Sequence, residues 1–198
     1  MCLFVYHSWQ EYRCGYAHWV GEVKKSKVLD GKKLKVGDQL VGITSSGPHS
    51  NGYSLLRKLI RPEEKDLLLQ ALTPTKLYVA SVMAALTKNT FQIKGCAHIT
   101  GSGFHNIPRI NGKFGYRISN LPALPSFFQL LQSRAELDDL EMYSTFNMGL
   151  GFVIATSKGE ELVKFLRKRG EDAHLIGDVV KKPVGVTLKA RGLDLLIQ

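Results

Sequence analysis

From Ile43 to Tyr53 the chain reads Ile-Thr-Ser-Ser-Gly-Pro-His-Ser-Asn-Gly-Tyr, and no regular element can run through it. Pro48 has no N–H and disfavours helical backbone at Gly47. The serines and Asn51 offer the backbone competing local hydrogen bonds. Before this stretch, Gln39-Leu-Val-Gly-Ile-Thr-Ser45 is a short apolar run bounded by turn residues, which predicts a strand. After it, Leu55, Leu56, Leu59 and Ile60 fall at helical spacing, with Ser50 or Asn51 as the N-cap. The chain must pass from a strand, through a polar glycine loop, into a helix. Small residues there let a ligand approach the backbone, and unpaired N–H groups at a helix start suit an anion. Ser46, Ser50, Asn51 and Gly52 are therefore candidate binding residues. His49 could donate to a phosphate or move a proton. The alternative is an ordinary capped turn in which His49 only packs.

A second junction follows a strand predicted over Phe91 to Thr100: His98-Ile-Thr-Gly-Ser-Gly-Phe-His-Asn-Ile-Pro-Arg109. Its GxG lacks the third glycine of a dinucleotide fingerprint and the lysine of a phosphate loop. His98 and His105 match no zinc spacing and have no thiolate beside them, so no metal site is assigned. Arg109 either meets a phosphate or sits in solvent. A third stretch, Glu141-Met-Tyr-Ser-Thr-Phe-Asn-Met-Gly-Leu-Gly151, places Thr145 and Asn147 just before a buried strand over Leu150 to Ala155. Asp138, Asp139 and Glu141 read as a solvated helix end. No nucleophile–histidine–acid arrangement is visible.

Elsewhere, Val20 to Lys24 reads as a strand end and Asp30-Gly31 as a turn. Thr73-Pro74 predicts the start of a helix whose inward stripe is Val79, Val82, Met83 and Leu86. Further helices are expected over Phe127 to Leu131, from Leu137, and over Glu160 to Arg169, the last with Leu162, Val163 and Leu166 inward. His174 to Val180 and Val184 to Leu188 give two final strands. Mixed strands and helices with 44% hydrophobic residues in 198 predict a layered α/β or α+β sheet.

Composition narrows the function classes. Three cysteines without a CxxC pair exclude a disulfide framework and point to a reducing compartment. No run approaches the roughly 20 apolar residues of a membrane span, and the opening lacks a signal-peptide pattern. A soluble, cytoplasmic protein is expected. The net charge of +10 is spread over Lys24, Lys25 and Lys27, then Lys32, Lys33 and Lys35, then Lys164, Arg167, Lys168 and Arg169. No aromatic–basic interleaving of the RNA-platform type is present, so solvated faces are expected rather than nucleic-acid binding. Such a field still suits a phosphorylated small molecule.

Four motifs in order, SSGPHSNGYSLLRK (45–58), LTPTKLYV (72–79), HITGSGF followed by NIPR (98–109) and EMYSTFNMGLG (141–151), carry a resemblance. They are similar to the C-terminal half of the phosphoribosylformylglycinamidine cyclo-ligase (aminoimidazole ribonucleotide synthetase) family, over about Val20 to Leu188. The resemblance implies a three-layer α/β/α domain facing an N-terminal domain that forms a dimer barrel and holds most ATP and Mg²⁺ contacts. Residues 1–18 then remain unassigned, 19–36 are a remnant of the link, and 37–198 form the substrate-side domain of a homodimeric enzyme.

The implied reaction is purine-biosynthetic ring closure. ATP activates the formyl oxygen of formylglycinamidine ribonucleotide, the amidine nitrogen attacks that carbon, and phosphate leaves. By resemblance, Ser46, Ser50, Asn51 and Gly52 position the substrate, with Asn106, Thr145 and Asn147 beside them. Thr100, Gly101 and Gly103 form an anion cradle, and His49 handles a proton. Three features depart from the family pattern. Ser102 replaces a glycine, the stretch before Asn106 is one residue short and lacks an acidic residue, and Ser144 replaces an arginine. The alternative is a non-catalytic binding or assembly module that keeps the fold.

Overall fold

The computed structural model describes residues 22–198. Its strands are β1 (Gln39–Thr44), β2 (Ile93–His98), β3 (Gly115–Ile118), β4 (Leu150–Thr156), β5 (Ala173–Val180), β6 (Gly185–Leu188) and β7 (Leu195–Ile197). They form one sheet in the order β2-β4-β1-β5-β3-β6-β7. Every pairing is antiparallel except β3 with β6. The helices are α1 (Tyr53–Leu59), α2 (Lys65–Ala71), α3 (Val79–Lys88), α4 (Ser126–Ala135), α5 (Asp139–Thr145) and α6 (Gly159–Arg167), with 3₁₀ segments at Lys25–Lys27 and Gly103–Ile110.

Both faces of the sheet are covered, which is why β1 and β4 are buried almost continuously rather than at alternate residues. In β4, Val153 and Ala155 enter one core while Phe152 and Ile154 enter the other. The smaller core lies under α3 and α6 and includes Val82, Ala85, Leu162, Val163 and Leu166. The larger core gathers Leu56, Phe104, Phe128, Leu131, Met142, Tyr143 and Phe146 on the opposite face. The result is the expected three-layer α/β/α arrangement. Gly42 sits at the sheet centre because a Cβ there would lie 2.4 Å from Leu150 Cδ1 and 2.9 Å from Ile176 Cγ2.

Local sequence explains the ends of several elements. Asp138 and Glu141 form a reciprocal capping box on α5: the Glu141 N–H donates to Asp138 Oδ1 (2.8 Å) and the Asp138 N–H to Glu141 Oε2 (3.1 Å). That is the solvated acidic helix end expected from sequence. In α6, Glu160 and Glu161 occupy the first turn and Lys164 and Arg167 the last, matching the helix dipole.

Other expectations are corrected. Glu22 to Lys24 are not strand, and the rest of that predicted strand end lies outside the described residues. The cap of α1 is Gly52 in left-handed backbone (φ 69°), with no side-chain cap from Ser50 or Asn51. The helix expected at Thr73-Pro74 begins only at Val79. Residues 73–78 instead run without regular structure against the first polar loop, where Pro74 O accepts from Ser46 Oγ at 2.8 Å. The α3 stripe is rotated: Ser81, Val82 and Ala85 are buried, while Val79 and Met83 are 69% and 54% exposed. Helix α2 and strands β3 and β7 were not expected; β3 and β7 are only four and three residues long, too short for a period to show.

Candidate functional site

Three loops meet at one end of the sheet, and each is built from one of the sequence motifs. The first (residues 45–52) follows β1, the second (99–103) follows β2, and the third (146–149) leads into β4. Asn147, fully buried, ties the first to the third. Its Nδ2 donates to Gly47 O at 2.9 Å, and its Oδ1 accepts from Ser45 Oγ at 3.1 Å and the Gly149 N–H at 2.9 Å. The Ser45 N–H donates to Gly149 O at 3.0 Å. Gly52 packs against Phe146 so closely that a Cβ would sit 2.2 Å from the ring.

Asn106 does the same work for the second loop. Its Nδ2 donates to Gly101 O (3.0 Å) and Gly103 O (2.7 Å), and its Oδ1 accepts from Thr100 Oγ1 (3.2 Å). Gly103 lies on the end of α5, where a Cβ would be 2.1 Å from Tyr143 O and 2.8 Å from Phe146 O. Gly101 faces Asn51, whose Oδ1 would be 3.8 Å from a Cβ at that glycine. The predicted residues of the first two loops are thereby brought side by side. Ser46 and Ser50 are exposed, and Ser50 Oγ is 3.5 Å from Thr75 Oγ1. Thr145 is half-buried at the end of α5. His105 Nε2 lies 3.2 Å from Ser144 Oγ, and Arg109 points to solvent.

His49 is 2% exposed and adopts φ 56°, a conformation few non-glycine residues take. Its Nε2 accepts the Ser46 N–H at 3.3 Å, so in the neutral ring the proton sits on Nδ1, which has no protein partner. Burial first, then His98 and Lys76, push its pKa down to about 4. His49 is therefore neutral at pH 7 and holds the turn. Burial also lowers the pKa of His98.

A histidine whose folded pKa is depressed favours the neutral form, so its contribution is intact above about 6.5 and is lost as pH falls toward 4. The expected loss is on the order of 3 kcal/mol between those limits. Denaturant midpoints should fall steeply between pH 6.5 and 4 in the native chain and less in His49→Gln. Equal pH slopes in the two would contradict this assignment.

Tyr78 and Gly151 were missed by sequence reasoning. Tyr78 precedes α3, and its hydroxyl donates to Thr44 O at 3.1 Å. A Cβ at Gly151 would lie 1.9 Å from that hydroxyl and 2.9 Å from His49 Cε1. The ring thus seats on the only residue type that leaves it room. No periodicity announces such a contact, because its partners are 73 residues apart.

Chemically, the loops present hydroxyls, amide groups and backbone N–H donors, which can bind and orient a polar ligand. They carry no carboxylate, and among the described residues no three His, Cys, Asp or Glu side chains converge. Mg²⁺ takes oxygen ligands with one or two carboxylates, so these residues do not fit it.

The layered sheet defines a class of domain seen in several solved structures. A hydrogenase maturation protein HypE superposes with a TM-score of 0.64 at 18% identity, over 90% of this chain and 58% of that one. T. maritima PurL complexed with AMPPCP gives 0.53 at 13% identity, over 88% of this chain and 26% of that one. These likenesses establish the fold.

Sequence similarity is more specific. The profile of the AIR synthase related protein, C-terminal domain, matches residues 35–189, and the chain belongs to this family. It is 42% identical over 186 residues to the phosphoribosylformylglycinamidine cyclo-ligase of Acetivibrio thermocellus and 45% identical over 181 to that of Clostridium perfringens. Those alignments cover 85% and 86% of this chain and 54% of each relative. The chain spans about half the length of these relatives and corresponds to their C-terminal half. No helix among the described residues is long and apolar enough to cross a membrane.

Proposed function

We propose that this chain is the substrate-side domain of an ATP-dependent cyclo-ligase that closes formylglycinamidine ribonucleotide to aminoimidazole ribonucleotide. The reading is supported by the interlocking of three loops, each formed by one of the motifs that resemble the family's, into one polar surface. In this reading Ser46, Ser50, Asn51 and Thr100 face the substrate. Gly101 lets it reach the backbone, and Gly52 and Gly103 bring the loops together. Asn106 and Asn147 spend their amide hydrogens on loop carbonyls and act by positioning, and Thr145 borders them. His49 was expected to handle a proton; its buried, neutral ring supports a loop-holding role. Catalysis then rests on positioning and on donors fixed in advance.

ATP and Mg²⁺ belong to the other half of such an enzyme, and a cytoplasmic homodimer is part of the same proposal. A non-catalytic assembly module is the second reading. It is favoured by Leu77, Val79 and Met83, which are 84%, 69% and 54% exposed beside the first loop.

Thermal unfolding separates the readings. A ligand that binds only the folded chain raises its stability by about 2.7 kcal/mol at 100 times its dissociation constant. For a domain of this size that is a midpoint rise of roughly 5 to 10 °C. The ribonucleotide should produce it and Mg–ATP should not. No rise with either ligand would leave the assembly module as the better reading.

A further inference from the structure

The end of the sheet opposite the three loops carries a charge pattern that the linear sequence does not reveal. Four adjacent strand ends lie there: the start of β1, the end of β5, and the starts of β3 and β6. Neighbouring strands are about 4.8 Å apart, so the turns attached to them span roughly 15 Å. Lys33 and Lys35 stand before β1, Lys113 before β3, and Lys181 and Lys182 after β5, and all five are exposed. The turns are fixed to one another. Asn111 Nδ2 donates to Gly31 O at 3.0 Å, and the Gly37 N–H donates to Val179 O at 2.9 Å. A Cβ on Gly115 would lie 2.0 Å from Pro183 O.

Nearby acids are already matched. Asp30 pairs with Lys32 at 2.7 Å and Asp178 with Arg117 at 2.9 Å. Asp38, 4% exposed, is held by Lys94 Nζ at 2.5 Å and the Lys35 N–H at 2.6 Å. None of the five lysines has an acidic partner among the described residues. Adjacent turns lie within about one Debye length at physiological salt, roughly 8 Å, so neighbouring lysines reinforce one another although the outermost are largely screened from each other. Val36 and Val184, 57% and 43% exposed, lie among them.

We propose that this sheet end is a docking surface for an acidic protein partner, with the lysines supplying complementary charge and the two valines apolar contact. Apolar contact within a charged rim is the anatomy of a protein interface. Nucleic acid fits less well. The cluster is all lysine, a point charge without the planar fork of arginine. Among the described residues no exposed aromatic side chain offers a stacking platform there. The surface faces away from the ligand loops, so docking leaves them open.

The test uses the full 198-residue chain with poly-L-glutamate and, separately, duplex RNA as probes. Poly-L-glutamate should bind with an affinity that falls steeply with salt. The triple variant Lys113→Gln/Lys181→Gln/Lys182→Gln should weaken binding by at least about tenfold. The control Lys164→Gln/Arg167→Gln/Lys168→Gln on α6 removes the same charge and should change it less than about twofold. Equal thermal midpoints for both variants would show that folding is not what changed. No binding, or equal losses in the two variants, overturns the proposal. RNA binding that is tighter and lost in the first variant alone would assign the surface to nucleic acid instead.

Discussion

Gly103→Ala is expected to destabilise the chain by about 3 to 5 kcal/mol, enough to unfold much of it at 37 °C. The added Cβ would be 2.1 Å from Tyr143 O and 2.8 Å from Phe146 O, and both obstacles are backbone rather than movable side chain. Relief requires the second loop to part from α5, which separates Phe104 from Tyr143, whose rings meet edge to face at 4.9 Å. The residue also sits at φ 50°, where any side chain adds strain. Gly101→Ala, two positions away, is the internal control. Its Cβ would approach nothing closer than Asn51 Oδ1 at 3.8 Å, so stability should change by less than about 1 kcal/mol. Urea denaturation of the two variants checks this directly. Similar midpoints would contradict the close approach of the loops.

The second large effect is expected at Asn147. Replacing it with alanine removes the bond to Gly47 O and leaves the half-buried Ser45 Oγ and the buried Gly149 N–H without their acceptor, at a position where Asn147 itself is fully buried. Each orphaned buried group costs about 1 to 3 kcal/mol, and a total near 3 to 4 kcal/mol is expected. Asn147→Asp keeps the acceptors but turns an oxygen toward Gly47 O, so it should recover only part of the loss. The denaturant midpoint should fall with an unchanged slope, and the Ser45 and Gly149 amides should exchange faster. A loss below about 1 kcal/mol for Asn147→Ala would mean that the loops hold together without it.

Legibility in the sequence followed the range of the interaction. The strand over 39–44, the buried strand over 150–156 and the α6 face were readable because apolar pattern and burial coincide there. The start of α3 was not. Thr73-Pro74 is a sound local helix signal, but Ser46 and Ser50 draw residues 74 and 75 to the first loop instead. At the site, the loops themselves were visible as glycine-rich breaks between elements. The groups that lock them, Tyr78 on Gly151 and Gly103 on α5, depend on contacts between distant segments. The basic sheet end was hidden for the same reason, since its lysines come from three separated turns.

Whether the three interlocked loops bind formylglycinamidine ribonucleotide, as proposed, is decided by an amide NMR titration with that compound. Saturable shifts are expected at Ser46, Ser50, Asn51, Thr100, Gly101 and Thr145, with the opposite sheet end around Lys113 and Lys181 unmoved. Shifts confined to another face, or none at millimolar ribonucleotide while the chain remains folded, would contradict it.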